Sequence, residues 1–147
     1  MKEETLLDKA AGNYRIAVKL DKMFAGDELE LDSIDYNLQQ ATELCIKHFL
    51  EVNGFRYSHT YDIEELLDEC ESCGVQIRIT DTFYDFAPAI TKWESKTRYI
   101  KNYHLAKRQV ERGLKLVHDF LIDNGVTEDM LMPVMKVTDS LAKAESF

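Results

Sequence analysis

Apolar residues recur every three to four positions over long stretches of this 147-residue chain, and only two prolines and six glycines interrupt them. That period matches the 3.6-residue turn of the α-helix, whereas no stretch alternates in the way that half-buried strands require. An apolar content of 45% is enough to build one continuous core at this length. The sequence therefore predicts a single all-α domain, an up-down helical bundle of about five to six helices with a four-helix core.

Capping residues mark the ends of the predicted helices. Ser33, Asp62, Asp81 and Thr127 have side chains that accept from the free N–H groups of a first turn. Pro88 is expected to kink or split the helix that contains it. The predicted helices span residues 4–24, 34–53, 62–74, 81–95 and 97–124, with a last one after residue 127. Residues 75–80 are predicted to form an extended connector. The bundle comprises residues 1–124, and residues 125–147 form a C-terminal helical appendage of the same domain.

No stretch approaches the roughly 18 consecutive apolar residues of a membrane-spanning helix. The segment Met1–Thr5 contains no apolar signal sequence, so we expect a cytoplasmic protein without membrane association. Three cysteines are too few for a disulfide framework, and their odd number also argues against one. Cys70 and Cys73 have the spacing of a redox or zinc motif, and helix packing is the alternative interpretation; we expect neither a metal nor a cofactor.

Charge is distributed unevenly along the chain. The net charge of −9 speaks against general binding of nucleic acids. Residues 92–115, however, carry eight of the eighteen Lys and Arg residues against two acidic residues, a local charge of +6. Three interpretations stay open: a solvated helix face, a phosphate-binding surface for RNA or a nucleotide, or an interface with an acidic partner.

The predicted helix 97–124 divides into an apolar face and a basic face. Leu105 is the one apolar residue expected among the basic side chains. The residues expected to face the core are Tyr99, Tyr103, Ala106, Val110, Leu114, Val117 and Leu121; those expected on the opposite face are Arg98, Lys101, Arg108, Arg112 and Lys115.

Three segments and one short motif resemble the HEPN family, a family of helical domains found in prokaryotic toxin–antitoxin and nucleotidyltransferase-linked systems. The most specific match is Gln39-Gln40-Ala41-Thr42-Glu43, followed by Lys47. Weaker matches are Leu7-Asp8-Lys9-Ala10 in the first helix, His59 to Leu67 at the start of the third, and Trp93 with Arg98-Tyr99. Together the matches cover residues 5–122.

The residue types of the Gln-Gln-Ala-x-Glu signature also allow a physical interpretation. Ala41 is small and allows close approach of helices. Glu43 and Lys47 stand at the i, i+4 spacing of a helical ion pair. The signature is therefore either a polar surface between two helices or ordinary exposed helix surface.

Ribonuclease members of the family carry Arg, then four to six residues, then His, and here five residues separate Arg98 from His104. The resemblance implies metal-independent RNA cleavage in which His104 is the general acid or base. Arg98 would stabilise charge on the phosphate, and Asn102 would orient the imidazole. On a regular helix Arg98 and His104 lie about 120° apart. They therefore converge only where the helix is interrupted or across a dimer axis.

The leading functional hypothesis is a HEPN binding module, a homodimer that acts with a nucleotidyltransferase or an antitoxin. It would bind a nucleotide or RNA through Lys101, Arg108, Arg112 and Lys115, and Tyr103 is a candidate for modification. One alternative is the metal-independent endoribonuclease that uses Arg98, His104 and Asn102. The other is a helical protein-interaction module without a nucleic-acid role.

Overall fold

The computed structural model describes residues 3–23, 28–60, 62–102 and 104–132, with the backbone alone at residues 28–30, 94 and 98. All regular elements in these ranges are α-helices, which confirms the predicted all-α fold. They are α1 (Leu6–Met23), α2 (Glu28–Val52), α3 (Ile63–Cys73), α4 (Asp81–Tyr99), α5 (Lys107–Asp123) and α6 (Glu128–Leu131). None of the described helices is both long enough and apolar enough to cross a membrane.

The centre of the bundle is α2, which packs against α1, α3, α4 and α5. Its apolar stripe is buried from Ile34 through Leu38 and Ala41 to Cys45, as the periodicity predicts. Close approach of α5 depends on Gly113, because a Cβ there would lie 3.1 Å from Leu38 Cδ1. The core therefore surrounds α2 on most of its circumference.

A second row of buried residues on α2 is polar. Asp35, Gln39, Glu43 and Lys47 follow one another at intervals of four, and each is at most 7% exposed. Lys47 Nζ lies 2.6 Å from Glu43 Oε1 and 5.1 Å from the centre of the Tyr57 ring. The signature is therefore a buried polar surface between helices, and the alternative of ordinary exposed surface is wrong for Gln39, Glu43 and Lys47.

Several predicted helix ends are confirmed by their caps. The Asp62 side chain accepts from the Glu65 amide at 3.3 Å, and Gly74 ends α3 with a φ of 70°. Thr127 accepts from the Met130 amide and begins α6. The cap of α4 is Thr80, one residue before the predicted Asp81, because its side chain accepts from the Phe83 amide.

Two further predictions of helix ends are wrong. Helix α2 starts at Glu28, so Ser33 lies inside it instead of capping it. Helix α4 continues through Pro88 to Tyr99 instead of stopping near residue 95. Burial of Ala87 and Ile90 on either side holds the helix together there. Proline lacks the N–H that would donate to the carbonyl of Tyr84, a residue that is 45% exposed.

The connector 75–80 has no regular secondary structure, as expected. Asn124, at the end of α5, holds it by accepting from the Arg78 amide at 2.9 Å and donating to the Arg78 carbonyl at 2.7 Å. Helix α6 packs on α1, where the Arg15 guanidinium donates to the Met130 carbonyl. The remainder of the predicted C-terminal helix, residues 133–147, lies outside the described residues.

Candidate functional site

The candidate site lies on the hairpin formed by α4, residues 100–106 and α5. Phe83, near the start of α4, stacks on Phe120, near the end of α5, with ring centres 4.3 Å apart, so the two helices run antiparallel. The single helix predicted over residues 97–124 is therefore wrong. The chain instead turns after Tyr99: Ile100 is extended, and Asn102 has a φ of 63°.

Burial explains why the helix breaks. Leu105, expected among the exposed basic residues, is 2% exposed and belongs to the core. Tyr99 and Ala106, expected in the core, are exposed, and Tyr99 is 75% accessible. A continuous helix would point Leu105 toward solvent, so the chain leaves the helix and buries Leu105. Helix α5 then starts anew, with the Gln109 side chain accepting from the Ala106 amide at 2.9 Å.

His104 lies in this turn and is held by a residue of α2. Its Nδ1 lies 3.0 Å from Asp32 Oδ2, and the other carboxylate oxygen accepts from the Leu105 amide at 3.3 Å. The His104 side chain keeps 32% of its surface exposed. When Nδ1 carries the proton donated to Asp32, Nε2 is free to accept another proton.

Asp32 is the residue that sequence reasoning missed. The predicted helix bounds place it in the linker before the second helix, and its contact with His104 spans 72 positions of sequence. No local spacing signals such a pair.

The remaining residues of the predicted catalytic motif are placed less completely. Arg98 lies in the last turn of α4, where its backbone alone is described, and the helix is interrupted between it and His104. Asn102 lies in the turn, but the described contact on the imidazole comes from Asp32. Tyr103, the candidate for modification, lies outside the described residues.

The basic side chains of residues 92–115 are exposed wherever the structure describes them. At 100° per residue, those of α5 share the face opposite its buried residues, as predicted. Two of them have an acidic neighbour four residues on: Lys107 Nζ is 3.9 Å from Glu111 and Lys115 Nζ is 3.3 Å from Asp119. We call the exposed basic side chains of α4, the turn and α5 the basic band; its described members are Lys92, Lys96, Lys101, Lys107, Arg108, Arg112 and Lys115.

The cysteines are placed as packing residues. Cys45 and Cys70 are buried in the core, and burial raises the pKa of Cys45 to about 12 and that of Cys70 to about 11. Both thiols therefore stay protonated, which opposes redox or metal chemistry at neutral pH. Within the described ranges, no group of three or more His, Cys, Asp and Glu side chains is arranged to hold a metal ion.

A second His cluster lies at the far end of α5. His118 Nδ1 is 3.0 Å from Asp119 Oδ1 and its Nε2 is 3.0 Å from Glu128 Oε1. The hydrogen bond from His118 lowers the pKa of Asp119. Because Nδ1 faces Asp119 of α5 and Nε2 faces Glu128 of α6, this imidazole links the two helices.

Comparison with known proteins gives one match. A family model described as HEPN domain matches residues 7–122, which is well over half of the chain and includes α4, the turn and most of α5. A search of curated proteins and a search of solved structures return no match.

Proposed function

The chain belongs to the HEPN family, and from that premise we propose that it is a homodimeric module that binds RNA or a nucleotide through the basic band. The observation that carries this proposal is the exposure of seven basic side chains on two packed helices and the turn between them. Binding of phosphate by Lys and Arg at such a surface is electrostatic and releases counterions. A nucleotidyltransferase or an antitoxin is the partner that the family resemblance implies.

In this proposal, binding of a phosphate depends on the local charge of the basic band and not on the net charge of the chain. The chain carries −9 in total, which repels a polyanion at long range. Screening limits that repulsion to roughly 8–10 Å at physiological ionic strength. Within that distance a phosphate at the basic band meets mostly positive charge. The proposal therefore predicts weak, strongly salt-dependent binding.

Binding is tested by fluorescence anisotropy with labelled single-stranded RNA over a range of salt concentrations. Arg108→Ala should weaken binding and reduce the slope of log K against log salt by about 0.7, the value of one single-strand phosphate contact. Lys9→Ala is the matched control, because Lys9 is an exposed α1 lysine outside the basic band. An equal effect of both variants would show that the protein binds RNA by diffuse charge, contrary to the proposal.

Dimerisation is tested separately by light scattering coupled to size exclusion. The measured molar mass should be that of two chains. A monomer at concentrations where RNA binds would remove the dimer from the proposal and leave the basic band.

Metal-independent RNA cleavage is the second candidate function, and the contact between Asp32 and His104 favours it. His104 Nε2 would take the proton of a ribose 2′-hydroxyl, whose oxygen then attacks the adjacent phosphorus. The bond to the 5′-oxygen breaks, leaving a cyclic 2′,3′-phosphate, and the leaving oxygen is protonated by a second imidazolium or by water. Arg98 would stabilise the charge on the phosphoryl oxygens.

Cleavage is tested by incubating the protein with total tRNA and mRNA in EDTA. His104→Ala should lower the rate by about 10²–10⁴-fold, the range that general acid–base catalysis supplies. His59→Ala is the matched control, since His59 is an exposed histidine outside the hairpin. Asp32→Asn should lower kcat with little change in KM, because it replaces the carboxylate that holds the His104 ring and the Leu105 amide. No cleavage by the unmodified protein would reject this candidate and leave the binding module.

A further inference from the structure

A groove of about 330 Å³ lies between α4 and α5, beside the basic band. Its lining combines three apolar side chains with a carboxylate, an amide and a guanidinium. On α4 these residues are Asp85, Phe86, Ala89 and Trp93, and on α5 they are Gln109 and Arg112.

Trp93 provides an aromatic platform in this groove, and its ring is held in place by packing against α4 and α5. Its ring meets Phe86 edge to face, with centres 5.3 Å apart and planes at 76°. A Cβ on Gly113 would lie 3.7 Å from Trp93 Cζ3, so the indole packs closely on the backbone of α5. Phe86 is buried, whereas Trp93 keeps part of its surface exposed. The small side chain of Ala89, one turn earlier, leaves space beside that exposed part.

Arg112 places a cation next to the platform. Its guanidinium carbon lies 5.8 Å from the centre of the Phe86 ring, so the same ring contacts both Arg112 and Trp93. Cation–π contact restrains the guanidinium without using its N–H donors. Those donors suit a phosphate, which Arg binds with two parallel hydrogen bonds. Arg108 and Lys115 lie about one turn away on either side and extend the positive charge.

Polar groups at the groove add a means of orienting a ligand. The carboxylate of Asp85 repels a phosphate and accepts hydrogen bonds from the amino or imino groups of a base. Gln109 already uses its Oε1 for the Ala106 amide, and its NH2 group remains a donor. A ligand with a planar ring and a phosphate at one end matches this arrangement.

We propose that the groove is a stacking subsite for one nucleobase, which lies on the exposed part of Trp93 while its phosphate binds Arg112. This inference rests on the proposed function, because it names the group of the RNA or nucleotide that the protein recognises beyond the phosphates. Stacking on an aromatic ring tolerates every base and contributes about 1–3 kcal/mol per base. The subsite therefore predicts preference for single-stranded RNA over a duplex, whose bases are already stacked.

Trp93 is the only tryptophan of the chain, so its fluorescence reports on this groove alone. The full-length protein is titrated with AMP, a single-stranded oligonucleotide, inorganic phosphate and linear polyphosphate. The proposal expects saturable quenching by AMP and by the oligonucleotide and none by the two ligands without a base. Quenching by AMP alone would identify a free nucleotide as the ligand, and tighter quenching by the oligonucleotide would identify an RNA strand.

Two variants separate stacking from packing. Trp93→Phe keeps an aromatic ring and should retain RNA affinity within a few-fold. Trp93→Leu fills a similar apolar space without a π-face and should weaken binding by about 5- to 150-fold, the range equivalent to the stacking contribution. Neither variant should change the salt slope, because neither removes a phosphate contact. Circular dichroism spectra of both variants establish that the helical fold is intact.

The outcomes distinguish the two proposals. RNA that binds with salt dependence but leaves Trp93 fluorescence unchanged would overturn the stacking subsite and leave the basic band. Polyphosphate that quenches as RNA does would also overturn it, since charge alone would then account for the signal. Absence of binding by RNA, nucleotide and polyphosphate alike would remove the proposed function and the subsite with it.

Discussion

The buried ion pair of α2 provides the most quantitative test of the fold. The side chains of Glu43 and Lys47 are 4% and 9% exposed, and Lys47 Nζ is 2.6 Å from Glu43 Oε1. Gln40 Nε2 donates weakly to the second carboxylate oxygen of Glu43, at 3.4 Å. Replacing one partner leaves the other charge buried with no counter-ion. We therefore consider Lys47→Met, which keeps the length of the side chain, and Glu43→Gln.

Each single replacement should lower the free energy of unfolding by about 3–5 kcal/mol, the cost of leaving an uncompensated buried charge. For a chain of this length, that loss corresponds to a drop in Tm on the order of 10 °C. The double variant Glu43→Leu with Lys47→Met removes both charges and restores apolar packing. It should therefore be more stable than either single variant.

Urea unfolding followed by circular dichroism measures these differences. A matched control is the exposed pair of Lys107 and Glu111, which has the same residue types and spacing but side chains 46% and 58% exposed. Glu111→Gln should cost less than about 1 kcal/mol, as exposed pairs do. If Lys47→Met costs no more than Glu111→Gln, the argument that burial makes this pair essential is refuted.

Two further predictions concern the hydrogen bonding and pH dependence of the fold. Asn124→Ala should lower the free energy of unfolding by roughly 1–3 kcal/mol, because it removes the two hydrogen bonds to the Arg78 backbone, at about 0.5–1.5 kcal/mol each. Thermal unfolding checks this against Asn53→Ala, whose exposed side-chain amide donates to the Phe49 carbonyl. Burial lowers the pKa of His48 below 6.5, and its Nδ1 has no partner among the described residues. The unfolded chain therefore takes up more protons as the pH falls through 6.5, and stability decreases. His48→Leu should show a smaller fall in the urea midpoint between about pH 7.5 and pH 5.5; an unchanged fall would mean that other groups control it.

Most of the helices follow from local sequence patterns. The apolar period of α2 and the caps at Asp62, Gly74 and Thr127 depend on residues a few positions apart, and they are confirmed. Errors occur where packing outweighs a local signal. Pro88 does not end α4, because buried neighbours hold the helix, and Ser33 does not start α2.

The candidate site was less accessible to prediction. The basic band could be located from composition and helical period, because charge density and face are local properties. The contact between Asp32 and His104 could not be predicted, since Asp32 lies in α2, His104 lies in the turn before α5, and no local spacing connects them. The groove at Trp93 also depends on the packing of α4 against α5. The sequence alone indicates only that an aromatic residue stands at this position.

The sequence by itself determined the all-α class, the family and the concentration of positive charge in residues 92–115. Tertiary structure alone decided that α4 and α5 are separate helices, that the signature polar residues are buried, and that Asp32 holds His104. The physical reason is that helix formation and capping depend on neighbours within one or two turns. Burial of Leu105 or of the Glu43–Lys47 pair depends on helices that are distant in sequence.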